Sequence, residues 1–237
     1  MAYQNGPKIV TNGLVLCLDA GSPKSYPGSG TSWVDLSGNG NNGTLTNGPT
    51  FNSANGGSIV FDGSNDYAST PFSFTNRLFS INCWLYFNSL NGWQTFVGQD
   101  STLPVGGLIY FQKTHNSLSI APRLNNSFNF VINFTDDTSD YCADPVSVTT
   151  GVWYNYCVSV TATNFSLYKN GVLVAVTNNN KSIAGASGSV IIGAGYYNSA
   201  IVDYANGRLT QVSIYNRPLS AAEILQNYNA TKGRFKL

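Results

Sequence analysis

Charge is scarce in this chain: Asp, Glu, Lys and Arg together make up 10% of 237 residues, and the formal net charge is +1. No basic run exists, so a surface that tracks phosphates is not expected and nucleic acid is a poor partner. There is one histidine, His115, and one glutamate, Glu223. A serine or cysteine triad would have a single possible base, and no Gly-x-Ser-x-Gly elbow accompanies it. Glycoside hydrolysis needs two carboxylates at a fixed separation. Glu223 is committed to a helix cap, and no Asp-x-Asp alternation lies on a strand, so no enzyme is expected. The Gly-rich run from Gly38 to Gly43 lacks the strand–loop–helix setting of a phosphate cradle, and reads as turns. No apolar run reaches membrane-span length. The first residues lack a charged head followed by an apolar block, so no signal peptide is expected. The four cysteines, Cys17, Cys83, Cys142 and Cys157, show no Cys-x-x-Cys spacing. They are expected as free core thiols, with a disulfide, or a metal site joining Cys142 to His115, as the alternatives.

What is abundant is aromatic residues at 13%, with 24 glycines and much asparagine. That balance suits many short strands joined by tight turns. The clearest signal is Asn170-Gly171, a two-residue hairpin turn requiring φ > 0 at both positions. The turn sets Lys169 opposite Val172 and Tyr168 opposite Leu173. It then predicts Leu167 facing Val174 and Phe165 facing Val176. In the preceding run Tyr154, Tyr156, Val158 and Val160 share one side, and Phe79, Ile81, Cys83, Leu85 and Phe87 alternate in the same way. Further strands are expected at 14–19, 58–61, 66–68, 94–98, 108–112, 118–120, 128–134, 190–193 and 208–215. About a dozen strands make an all-β, two-sheet antiparallel jelly-roll sandwich the expected fold. Residues 20–55 read as a long loop pinned by Trp33, Leu36, Leu45 and Phe51. Residues 135–146, with Asp136, Asp137, Asp140 and Asp144, read as an acidic loop. Residues 1–12 read as an arm able to attach the domain, 13–237, to a neighbour. One short helix follows Ser220-Ala-Ala-Glu223, a capping box. Leu219 and Ile224 form its staple, Ile224, Leu225 and Tyr228 its apolar stripe, and Gly233 is its expected stop.

Two kinds of binding site have candidates by residue type. Carbohydrate binding needs aromatic platforms beside polar groups. Trp84, Trp93, Tyr110, Tyr196 and Tyr197 qualify. Calcium needs hard oxygen ligands, for which Asp19, Asp35, Asn39, Asp62 and Asp66 are weak candidates, since none has EF-hand spacing.

Taken in order, several segments carry a likeness: Gly13 to Ala20, Trp33 to Thr44, Gly57 to Tyr67, Phe79 to Trp84, Trp153 to Val174, and Ile214 to Ile224. On these the chain resembles the laminin-G-like branch of the concanavalin A-like lectin/glucanase superfamily, in the form found in tailed-phage structural proteins. The resemblance implies a curved two-sheet sandwich that serves as a binding or assembly module. Some relatives carry calcium through an acidic pair, where this chain has Leu209-Thr210-Gln211-Val212, so calcium is only a possible cofactor. The function implied is a non-enzymatic virion surface protein, a capsid decoration or fibre-like subunit made in the host cytoplasm. Its partners would be other virion proteins and itself. The alternative is a tail-tip adhesin gripping host polysaccharide.

Overall fold

Period-two alternation decides which side chains each strand turns inward, and the computed structural model follows it closely. The structure describes residues 8–101, 107–113, 126–136, 138–183 and 186–237. Among the described residues eighteen strands run in chain order: β1 Leu14–Asp19, β2 Ser32–Trp33, β3 Gly43–Thr46, β4 Thr50–Asn52, β5 Ser58–Asp62, β6 Tyr67–Ser69, β7 Phe79–Phe87, β8 Gln94–Ser101 and β9 Gly107–Lys113. They continue with β10 Phe128–Asn133, β11 Ser139–Ala143, β12 Trp153–Val160, β13 Asn164–Lys169, β14 Val172–Asn178, β15 Ala186–Ile192, β16 Gly195–Tyr197, β17 Ala200–Val202 and β18 Asn206–Tyr215. One sheet has the order β14-β13-β12-β7-β18-β5-β4, with β1 also on β18; the other runs β11-β10-β9-β8-β15-β6-β3-β2. The expected antiparallel sandwich is therefore the fold. Its core holds Phe79, Ile81, Cys83, Leu85 and Phe87 of β7 against Phe96, Ile109, Phe111, Phe128 and Phe130 of the facing sheet.

The outer face of the first sheet is covered by α1, Ala221–Thr231, and a 3-10 turn, Lys232–Phe235. The capping box forms as read: Ser220 accepts from the Glu223 backbone nitrogen, and Glu223 accepts from the Ser220 nitrogen at 2.9 Å. Leu219 and Ile224 pack with Val10 and Tyr215. Leu225 departs from the expected stripe and is 45% exposed, because the buried positions are Ile224, Asn227 and Thr231. The chain continues into the 3-10 turn through Lys232, so Gly233 does not end the helix. The described part of the expected arm, residues 8–12, is tied to this layer. The Val10 nitrogen donates to Asn227 Oδ1 at 2.8 Å and its carbonyl accepts from the Tyr215 hydroxyl at 3.0 Å. Gln226 Nε2 donates to the Lys8 carbonyl at 2.7 Å.

Other expectations need correction. The Asn170-Gly171 turn has φ of 52° and 79°, and the pairs Lys169–Val172 and Tyr168–Leu173 form. A bulge then skips Val174, so Leu167 pairs with Ala175 and Phe165 with Thr177. One extra residue reverses the facing of everything beyond it, which leaves Val176 opposite Ser166 and 50% exposed. The 20–55 stretch is not one loop, since β2, β3 and β4 lie within it. Trp33 and Leu45 are buried there, whereas Leu36 is 40% exposed. The acidic 135–146 stretch is not all loop, since β11 lies within it, and Asp144 is buried rather than solvated. The β16–β17 hairpin has no counterpart among the expected strands. Leu118–Ile120, His115 and Asp137 lie outside the described residues. All four cysteines are buried free thiols, and burial pushes Cys17 up to about 11.

Candidate binding pocket

Three loops meet at one end of the sandwich and line an open cleft of about 420 Å³. The turn after β5 gives Gly63, the β7–β8 loop gives Ser89, Asn91, Gly92 and Trp93, and the segment entering β18 gives Asp203, Tyr204 and Asn206. Gly63 has φ of 82°, and a Cβ there would sit 2.7 Å from the Asn206 Cβ. Only glycine lets these two walls approach so closely. Asn206 fastens the same corner, donating from Nδ2 to the Asp62 carbonyl at 3.1 Å. The Thr95 nitrogen holds the Asp203 carbonyl at 2.8 Å, which fixes the far wall to β8.

Asp203 sits at φ of 54°, in the left-handed region that aspartate tolerates better than most residues. Its carboxylate takes no hydrogen bond among the described residues, and burial holds its pKa above the ordinary carboxylate value. Desolvation is the sole cause. A partly buried acceptor with no protein donor among the described residues is a group that a hydroxyl-bearing ligand could satisfy. Trp93 is half-buried, whereas Trp33, Trp84 and Trp153 are buried. A ring, a carboxylate, a serine and two asparagine amides therefore share one cavity of ordinary ligand size.

The other aromatic candidates fall elsewhere. Tyr110, on β9, donates its hydroxyl to the Tyr196 carbonyl at 2.6 Å, beneath the β16–β17 hairpin. That hairpin crosses β8 where a Cβ on Gly98 would meet the Ala194 carbonyl at 2.8 Å. Burial raises the pKa of Tyr196, whereas Tyr197 is 53% exposed. The structure brings Tyr110 and Tyr196 together and puts Trp93 in the pocket near the base of the same hairpin. Trp84 is fully buried beneath α1, so it cannot serve as a platform.

The calcium candidates are separately employed. Asp19 forms a two-bond pair with Arg234, at 2.7 Å for each bond. Asp35 accepts from the backbone nitrogens of Cys17, Ser37 and Asn41 and from the Ser37 hydroxyl. Asp62 accepts from the Ser64 nitrogen, and Asp66 from the Asp62 nitrogen. Asn39 donates to the Leu14 carbonyl. Among the described residues no three His, Cys, Asp or Glu side chains gather as metal ligands. A second cleft of about 370 Å³ includes Arg77 and Lys181 in its lining. Arg77 already donates to the carbonyls of Thr161, Asn179 and Lys181.

Sequence reading singled out Trp93 but missed Ser89, Asn91, Asp203, Tyr204 and Asn206. The dipeptide Asp203-Tyr204 ahead of the last strand was the available signal.

The family model described as Concanavalin A-like lectin/glucanases superfamily matches residues 62–225, more than half of the chain and all of the pocket. The chain belongs to that superfamily. A comparison with curated protein sequences returned no match. Among solved structures, this concanavalin A-like chain is similar to the binding domain of Paraclostridial Mosquitocidal Protein 1, with TM-score 0.69, 15% identity, 92% of this chain and 52% of that one covered. It is also similar to Domain 4 of AbnA, a GH43 extracellular arabinanase from Geobacillus stearothermophilus solved with arabinotriose. That match has TM-score 0.68 and 15% identity and covers 91% of this chain and 98% of that one. Trypanosoma rangeli sialidase in complex with the inhibitor DANA matches with TM-score 0.69 and 16% identity over 99% of this chain. The chain spans about half of the mosquitocidal binding domain and 35% of the sialidase. At these identities the likeness speaks for the fold alone.

Proposed function

We propose that this concanavalin A-like domain is a non-catalytic glycan-binding module whose ligand site is the Trp93–Asp203 pocket. The observation that carries the reading is the partly buried Asp203 carboxylate, without a hydrogen-bond donor among the described residues, sharing a cleft with the half-buried Trp93 ring. Asp203 would accept sugar hydroxyls, Asn91 and Asn206 would donate and accept, and the indole would offer a face to a pyranose or furanose ring. Among the described residues Asp203 is the only charged side chain in the lining, which favours neutral sugars over acidic ones. A hydrolytic role fits poorly. Hydrogen bonds from Arg217 hold Glu223 at about 2, so it carries no proton to give a leaving group at neutral pH. The fold neighbours bear on the reading by analogy only, through a binding domain and a domain solved with arabinotriose.

An array of neutral and acidic oligosaccharides tests it. Reproducible binding to neutral sugars should weaken about tenfold or more in Trp93→Ala and in Asp203→Asn, with thermal unfolding unchanged, since each change removes one strong contact. Silence across the array, or wild-type binding by both variants, would sink the proposal.

A second reading, a virion surface subunit that binds other virion proteins and itself, rests on the phage-type resemblance and one structural feature. Edge strand β14 exposes Val172 by 64%, Leu173 by 48% and Val176 by 50%, with no charged residue to discourage a neighbour. Such an edge suits assembly. Quantitative mass spectrometry of purified phage particles should find the protein in a simple ratio to the major capsid protein if it decorates the head. A few copies per particle would instead fit a tail-tip glycan binder, and its absence from particles would end the virion reading.

A further inference from the structure

Two side chains that do not line the pocket hold its β7–β8 wall from beneath. Gln94 donates from Nε2 to the carbonyls of Ser89 at 2.9 Å and Asn91 at 3.0 Å. Its Oε1 accepts from the Asn206 nitrogen at 3.0 Å, so one amide ties the loop to the opposite wall. Between those two carbonyls, Leu90 offers its own to the ammonium of Lys113, which also donates to Asn126 Oδ1 at 3.3 Å. Gln94 and Lys113 stand directly opposite each other in the β8–β9 ladder, and they are 1% and 0% exposed. Three successive carbonyls are thus gripped from inside the protein. That leaves Ser89, Asn91 and Trp93 to furnish the pocket.

We propose that Gln94 and Lys113 are positioning residues that preorganise the pocket, and that seating the 89–91 loop over Lys113 is coupled to release of its proton to solvent.

The proposal rests on the reading of this pocket as a ligand site, and its proton coupling follows from what surrounds Lys113. Its cross-strand partners are Gln94 on β8 and Phe128 on β10, neither ionisable. Asp144, whose nitrogen bonds the Phe128 carbonyl, is paired with Lys169 at 2.7 Å. Burial alone lowers the Lys113 pKa from 10.5 to about 8. With the loop lifted, water would reach the ammonium and return it towards the ordinary value. The open loop therefore binds the proton more tightly. Seating is disfavoured by protonation and grows more favourable as pH rises from about 8 towards 10.5.

Hydrogen exchange reads the equilibrium directly. The Asn88 and Ser89 nitrogens both donate to the Asn206 carbonyl, so their protection, corrected for intrinsic rate, measures closure. In the wild type, protection should climb by up to about tenfold per pH unit above 8, the limit for one coupled proton. Lys113→Met should flatten that climb, and Lys113→Arg, which keeps its charge, should flatten it as well. Gln94→Met should lower protection at every pH while keeping the slope, which covers the case of a poorly folded Lys113 variant. A flat wild-type profile, or an unaltered slope in Lys113→Met, would overturn the proposal. Should the slope behave as expected while maltohexaose, xylohexaose and arabinotriose all fail to bind, the positioning role stands and the glycan reading falls. Binding of one of these sugars with no coupled slope would instead overturn the proton coupling and leave the glycan reading standing.

Discussion

Replacing Asp144 by alanine is expected to cost about 3–5 kcal/mol of stability, because it strands a buried charge. The Asp144 side chain is 1% exposed and that of its partner Lys169 only 17%, with 2.7 Å between Nζ and Oδ2. The same oxygen accepts from the fully buried Tyr156 hydroxyl at 2.6 Å, and Oδ1 accepts from the Val146 nitrogen at 2.9 Å. Burial first, and then the Asp144 charge, push the Tyr156 pKa far above its ordinary value. Tyr156 therefore remains a hydrogen donor at any working pH. Without the carboxylate, the ammonium is left, among the described residues, with the Tyr154 and Tyr156 rings at 4.8 Å and 5.7 Å. Urea unfolding followed by circular dichroism provides the measurement. The double variant Asp144→Leu/Lys169→Met should lose less than Asp144→Ala alone, since no charge is left unpaired. A loss below about 1 kcal/mol for the single change, the scale of an exposed pair, would show that water reaches this site.

The second large effect concerns the C-terminal segment. Phe235 stacks on Trp84 at 4.0 Å and meets Trp153 at 4.8 Å. Trp84 stacks in turn on Tyr228 at 5.7 Å and donates from Nε1 to the Thr231 hydroxyl at 2.7 Å. Arg234, one residue earlier, is held by Asp19, and its carbonyl accepts from Asn55 Nδ2 at 3.2 Å. Phe235→Ala opens a cavity at the centre of this aromatic cluster and is expected to destabilise by about 3–4 kcal/mol. Phe235→Leu should lose roughly half of that. The environment of Trp84 should change at the same time, giving a shifted near-ultraviolet dichroism signal in the alanine variant. Unchanged thermal unfolding would mean that the segment adds nothing to the sheet it covers.

Legibility from sequence tracked how local each feature is. The Ser220–Glu223 cap involves four consecutive residues, and the alternation of Phe79 to Phe87 lies within one strand, so both could be read directly. The Asn170-Gly171 turn was equally plain. The bulge at Val174 was not, because nothing in Val172-Leu-Val-Ala-Val176 distinguishes the residue that is skipped. Trp93 could be nominated by type alone. Its companions could not, since the Asn206 nitrogen reaches the Gln94 side chain across 112 positions, a bond that no spacing rule anticipates. Asp19 and Asp35 could be named as oxygen ligands by type alone, and their partners, Arg234 and a ring of backbone amides, come only from the fold. The superfamily likeness was legible because it sums many weak segments in order, and that sum describes a scaffold more firmly than a site.

The position of β18 sets a schedule for synthesis. It lies in the middle of its sheet, paired with β7, β5 and β1, yet it is the last of the described strands to be made. Until residues 206–215 leave the ribosome, β7 has no partner on one flank, and β1 has no partner at all among the described strands. At roughly 5–20 residues per second, the first strand waits on the order of ten seconds or more before it can pair. Its apolar Leu14-Val-Leu-Cys-Leu run stays uncovered throughout. Nascent chains should therefore resist compaction until β18 has emerged and then fold late, in one concerted step dominated by distant contacts.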